Sequence, residues 1–170
     1  MFEMNHDYPE SKTDLYRLLK TQLKALTEDE THIMANLSNA SALLNGALRD
    51  INWVGFYLMH NGSLLLGPFQ GKPACIRIPV GKGVCGTAVA ENRTQIVPDV
   101  SLFPGHIACD EASRSEIVVP IRHCGKVIGV LDIDSPVPNR FDEEDEAGLG
   151  ELVRILETGC DWSNTGLLPE

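Results

Sequence analysis

Residues 116–134 read EIVVPIRHCGKVIGVLDID, two β-patterned runs on either side of Cys124-Gly125. Runs rich in Val and Ile that meet at a Gly-containing turn form a hairpin, so this stretch sets an antiparallel sheet. A second hairpin lies upstream, where 53–59 and 63–69 flank Asn61-Gly62. That dipeptide suits a two-residue turn because both positions tolerate positive φ. Residues 75–80 read as a third strand, Gly81-Lys82-Gly83 as a tight turn, 84–91 as a short helix of small residues, and 95–97 as a short strand. The GKG lacks both the spacing and the GK[ST] ending of a P-loop, so it implies close backbone approach rather than phosphate binding.

Helices enclose this β-rich centre. Leu15, Leu18, Leu19, Leu23 and Leu26 fall on one face of a helix over 14–26. Thr27 with Glu30 reads as a capping box for a second helix carrying Ile33, Leu37, Ala40, Leu44 and Ala47 inward. At the far end Asp142 is an N-cap for a helix with Leu149, Leu152, Val153 and Leu156 inside, which Gly148 and Gly150 weaken locally. Long βαβ alternation is absent, so the expectation is α+β: a central antiparallel sheet with N- and C-terminal helices packed on one face.

The 170 residues, 43% of them apolar, suffice for one domain over 1–170, with 1–12 and 161–170 read as mobile termini. A net charge of −10 provides no basic field for nucleic acid. No apolar run follows a basic start, so neither a signal peptide nor a membrane anchor is expected, and the chain reads as cytoplasmic. Five cysteines without a CxxC argue against a disulfide scaffold or a zinc ribbon, and the lone HxxC at His106 and Cys109 is a poor metal signal.

The chemistry concentrates in the middle of the chain. Residues 98–115 form a long polar loop that holds Cys109, the setting of a reactive rather than a packed thiol. Cys75 begins the third strand and could equally be a small buried hydrophobe. Cys85 sits in the first turn of the short helix, where the helix dipole can lower a thiol pKa, although its neighbours also suit packing. On the strand over 126–134, Ile128, Val130, Asp132 and Asp134 share one face. Two carboxylates on an otherwise apolar face are costly to bury unless a cation or hydrogen-bond donors meet them, and a ligand ammonium would serve. Trp53 and Tyr57 share one face of the first strand with Gly55 between them, as core or as an aromatic wall.

WVGFY, GPFQGKPAC, IPVGKGVCGTA, GHIACD, SEIVVPI and GVLDIDSP, in that order between residues 52 and 145, resemble the free methionine-(R)-sulfoxide reductases, which are built on a GAF domain. The resemblance implies a GAF-like fold with an active-site loop region on the sheet face away from the terminal helices. It also implies reduction of the R epimer of free methionine sulfoxide without metal or organic cofactor, recycling by thioredoxin, and a homodimer. By motif, Cys109 resembles the catalytic cysteine, Cys75 the resolving one, and Cys85 a third cysteine able to pair with Cys109. Glu116, Asp132 and Asp134 resemble the substrate-binding carboxylates, with Trp53 and Tyr57 as the wall. Cys124 and Cys160 fall outside these motifs. A non-catalytic GAF sensor, of a small ligand or of redox state through Cys75 and Cys109, is the alternative.

For Glu116 to face the same pocket as Asp132, the hairpin register must have the right parity. A two-residue Cys124-Gly125 turn continued regularly would place Ile117 opposite Asp132. The expectation is therefore a three-residue loop, His123-Cys124-Gly125, with Arg122 opposite Lys126 and Glu116 opposite Asp132.

Overall fold

The computed structural model describes residues 7–105 and 110–163. The elements run α1 (Lys12–Thr27), α2 (Ile33–Ala47), β1 (Trp53–His60), β2 (Ser63–Gly71), β3 (Arg77–Pro79), α3 (Gly83–Glu91), β4 (Gln95–Val97), a 3₁₀ turn at Val100–Leu102, β5 (Ser115–His123), β6 (Lys126–Ser135) and α4 (Glu143–Gly159). The strands form one six-stranded sheet in the order β3-β2-β1-β6-β5-β4, and each recorded neighbour pair is antiparallel.

Alternation along the strands divides the interior in two. Val54, Phe56, Ile117, Val119, Leu131 and Ile133 face the leucines of α1, α2 and α4. Trp53, Tyr57, Val118 and Val130 face the other way, onto Val84, Cys85 and Ala88 of α3. The α+β expectation, with the terminal helices together on one face, holds. Trp162, in the polar tail, closes the helix-side core and donates its indole N–H to the Leu156 carbonyl at 3.2 Å.

The β5–β6 register differs from the expectation, and the difference matters for the site. The turn has two residues: His123 pairs with Lys126, and Cys124 and Gly125 both take positive φ, 49° and 76°. Parity is restored further along, because Arg122 pairs with Val127 but Ile121 pairs with Gly129, which leaves Ile128 as an extra residue. Such a bulge turns every side chain beyond it to the opposite face. Glu116 therefore pairs with Asp134 and Val118 with Asp132. Ile128 correspondingly leaves the face of Val130 and packs against the helix-side core.

Two further expectations are corrected. Thr27 does not cap α2; it ends α1, with its hydroxyl donating to the Leu23 carbonyl at 3.0 Å, and His32 is the N-cap of α2 without a side-chain hydrogen bond. Glu30 instead accepts from the His32 N–H at 2.7 Å. The third strand is only Arg77–Pro79, so Cys75 lies in the loop before it. Pro73 and the turn chemistry around it keep that segment out of the ladder.

Asp142 caps α4 as expected and forms a capping box with Asp145. Asp145 is 1% exposed, yet it is fully partnered: Lys12 at 2.6 Å, Arg140 at 3.3 Å and the Tyr16 hydroxyl at 2.7 Å. Gly148 belongs to the same contact, since a Cβ there would lie 2.2 Å from Cγ of Tyr16, whereas Gly150 faces open space. Helix propensity alone favours alanine at both positions by about 1 kcal/mol. Overpacking costs about 1–3 kcal/mol, so the two sites should respond with opposite sign. Urea unfolding is expected to show Gly150→Ala more stable than the parent and Gly148→Ala less stable.

Candidate active site

The strands bring the predicted residues together by direct cross-strand pairing. Trp53 lies opposite Asp134 and Gly55 opposite Asp132, so the aromatic side of β1 borders the carboxylates of β6. On the other side of β6, β5 sets Glu116 opposite Asp134. α3 covers this face and points Cys85 at the same point. Single ligand atoms of Cys85, Glu116 and Asp132 lie within 4.8 Å of one another. Trp53, Tyr57, Cys85, Glu116, Asp132 and Asp134 all line one pocket.

Gly55 is what permits the wall. Trp53 stacks on Phe69 with ring centroids 5.3 Å apart and on Tyr57 at 5.9 Å. A Cβ on Gly55 would come within 2.3 Å of the Phe69 Cβ. The wall in turn holds the β2–β3 loop: the Trp53 indole donates to the Lys72 carbonyl at 3.1 Å and the Tyr57 hydroxyl to the Cys75 carbonyl at 3.0 Å. Withdrawal from water, followed by the charge of Asp132, keeps the Tyr57 hydroxyl protonated.

The carboxyl groups are deeply buried, Glu116 at 5% and Asp132 at 6% exposure. Burial pushes Asp132 up to about 6, against which hydrogen bonds from Cys85 and Glu116 act. Glu116 is pushed well above the ordinary range by burial and then by the charges of Asp132 and Asp134. Asp134, at the mouth, is raised by its loss of water and by Asp132, while a hydrogen bond to Ser113 acts the other way. Cys85 differs from expectation. Burial and the Asp132 and Glu116 charges raise its thiol pKa well above normal, overwhelming any helix-dipole effect. Oδ1 of Asp132 has no hydrogen-bond partner among the described residues.

Around the mouth lie residues that the sequence reading did not single out. Asp110 accepts from the Ala112 N–H at 3.0 Å, from Lys72 at 3.2 Å and from Asn52 at 3.3 Å, which together hold its carboxyl below the usual range. Asn52 also donates to the Ser113 hydroxyl at 3.0 Å. No periodicity marks these positions; only the Asp-x-Ala turn after Cys109 was a local signal. Cys75 is disulfide-bonded, whereas Cys85, Cys124 and Cys160 are free, with Cys124 exposed at its turn. Cys109 and His106 lie outside the described residues.

A curled antiparallel sheet with helices behind it and an acidic, aromatic-walled pocket in front defines a small-ligand domain of the GAF class, and the GAF domain family model matches residues 23–159. The chain is 58% identical over 147 residues to the free methionine-R-sulfoxide reductase of Escherichia coli, covering 86% of this chain and 89% of that one. It is 44% identical to the enzyme of that name from Saccharomyces cerevisiae, covering 92% of each. The crystal structure of free methionine-R-sulfoxide reductase from Neisseria meningitidis in complex with its substrate superposes with a TM-score of 0.90, at 46% identity and 98% coverage of both chains. The chain belongs to the GAF domain family and, within it, to the free methionine-R-sulfoxide reductases.

The crowded carboxyls carry a stability consequence. A carboxyl whose folded pKa lies above its unfolded value, about 3.9 for Asp, contributes stability that is fully present below the unfolded pKa and lost as pH rises through the folded one. Stability should therefore fall between pH 4 and pH 8. Asp132→Asn removes one such group and its repulsion of Glu116 and Asp134, an effect of about 3 kcal/mol from a value near 6. Thermal melts should show this variant several degrees above the parent at pH 8 and close to it at pH 4. A variant no more stable than the parent at pH 8 would contradict the reading.

Proposed function

We propose that this chain reduces free L-methionine-(R)-sulfoxide to L-methionine, as a single GAF domain in the cytoplasm, acting as a homodimer and recycled by thioredoxin. One observation carries the reading: buried Glu116 and Asp132 meet half-buried Asp134 under an aromatic wall, beside a disulfide-bonded Cys75, in a chain 58% identical to a free methionine-R-sulfoxide reductase.

In this reading Asp132, Asp134 and Glu116 receive the substrate's ammonium end, and Trp53 and Tyr57 flank its apolar arm. The Cys109 thiolate attacks the sulfoxide sulfur. One carboxyl of this cluster, its pKa raised by burial and by its neighbours' charges, supplies the proton to the oxygen. Methionine leaves, and Cys109 retains the oxygen as a sulfenic acid. The Cys75 thiol then displaces that oxygen as water, forming the Cys75–Cys109 disulfide, and a dithiol such as thioredoxin reopens it. Engagement of Cys75 in a disulfide while Cys85, Cys124 and Cys160 remain free thiols supports this pairing over one with Cys85.

The decisive assay measures methionine formed from each epimer of free methionine sulfoxide with a thioredoxin system. Turnover of the R epimer alone is expected, and binding without turnover would leave a non-catalytic ligand sensor. Cys109→Ser should fall to background even for the first turnover, because a hydroxyl is a far weaker nucleophile at neutral pH. Cys75→Ser should release about one methionine per subunit and then stall. Full thioredoxin-driven activity in Cys75→Ser would instead point to Cys85 as the resolving thiol. Asp134→Asn should lower kcat/KM by about 10–100-fold, since a charge-assisted hydrogen bond is worth about 1.5–3 kcal/mol.

A further inference from the structure

We propose that Cys85, Glu116 and Asp132 form a binding site for one Zn²⁺ ion at the base of the pocket, and that the metal and the sulfoxide substrate exclude each other. The binding stands independently of the proposed activity; only the exclusion of substrate rests on that reading.

Three observations converge. First, the donor set is a thiol sulfur and two carboxylate oxygens from α3, β5 and β6, all within 4.8 Å of one another. Zinc takes sulfur at about 2.3 Å and carboxylate oxygen at about 2.0–2.2 Å, so two ligands of one tetrahedral ion sit about 3.5 Å apart. The cluster, spread over no more than 4.8 Å, reaches this by contracting about 1.3 Å at most. A borderline-soft ion is favoured over Mg²⁺ or Ca²⁺ because one donor is sulfur.

Second, Oδ1 of Asp132 is buried without a hydrogen-bond partner, on a side chain that lines the pocket and is 6% exposed. An orphaned buried carboxylate oxygen is expensive, and a bound cation removes the cost. Elsewhere the same chain meets a buried carboxylate with cations: Asp145 has both Lys12 and Arg140. No ion pair among the described residues reaches Asp132; the Cys85 thiol and the Glu116 carboxyl, the other two donors of the cluster, hydrogen-bond to its carboxylate and leave Oδ1 open.

Third, Cys85 is a free thiol while Cys75 is in a disulfide. The oxidised protein therefore keeps its metal donor after Cys75 has been consumed. Coordination displaces protons from the thiol and from any protonated carboxyl to solvent. The ion then occupies the carboxylates proposed to receive the substrate ammonium, and either ligand must leave before the other enters.

The test uses the full chain with Cys124→Ser, which removes the exposed thiol, oxidised so that the Cys75 disulfide is closed. Titration with Co²⁺ should show one equivalent bound, with a thiolate-to-cobalt charge-transfer absorption that one equivalent of Zn²⁺ abolishes by displacement. Excess free methionine sulfoxide should also displace it. Cys85→Ser should lose the charge-transfer absorption and bind at least tenfold more weakly; Asp132→Asn should bind at least tenfold more weakly. Circular dichroism reports whether each variant is folded, and the competition in the parent chain needs no pocket variant. The proposal is overturned if the oxidised parent binds neither ion below millimolar concentrations, or if the absorption survives Cys85→Ser. It is also overturned if metal and sulfoxide bind together. An enzyme that turns over the sulfoxide but fails these tests loses only this site, and a chain that binds zinc without turnover loses only the proposed activity.

Discussion

A carboxyl group withdrawn from water must be met by a cation, by hydrogen-bond donors or by a proton, and this protein uses different answers on the two faces of one sheet. Behind the sheet, Asp145 completes the capping box of α4 and is neutralised by Lys12 and Arg140 with the Tyr16 hydroxyl beside them. That cluster joins the two ends of the chain, because α1 and α4 pack through it with Gly148 against the Tyr16 ring. In front of the sheet, Asp132 and Asp134 have no such ion pair among the described residues, and with Glu116 they crowd so that burial and mutual repulsion raise their pKa values. The first arrangement is structural. The second gathers the carboxyls at one pocket without a neutralising side chain among the described residues.

The register of β5 against β6 ties these chemical facts to the backbone. Two residues of positive φ make the turn, and one extra residue at Ile128 restores parity before the strands reach their functional end. Without that bulge Glu116 would face the helices, where its burial among leucines would cost several kcal/mol. The displaced Ile128 is accommodated in the helix-side core, so the irregularity serves both faces. Gly55 plays a comparable part on β1, giving up its side chain so that Trp53 and Phe69 can stack and the wall can hold the loop of Cys75.

Much of this was legible in the sequence. Asn61-Gly62 announced a hairpin with both residues at positive φ, as found, and the leucine spacing of α1 and α4 announced which faces would be buried. Alternation along LDID placed Asp132 and Asp134 on one face because strand geometry leaves no other choice. The motifs carried the rest of the site by resemblance. The capping box at Thr27 failed because Thr27 found carbonyl acceptors one turn back within α1, and a single chain gives no means of weighing those competing bonds. The third strand was overextended because Ala74 and Cys75 pack against the pocket-side core rather than joining the ladder.

The sequence by itself determined the α+β layering, the hairpins, the paired aspartates and the set of candidate thiols, since each depends on local periodicity or on residue type. The tertiary structure decided what those residues could do. Register depends on a bulge that no dipeptide announces, so only the folded hairpin shows Glu116 opposite Asp134. The protonation of the pocket is likewise a property of three chains of atoms brought together from β5, β6 and α3. Cys85 sits where a helix dipole would favour a thiolate, and the neighbouring carboxyls and the absence of water reverse that preference.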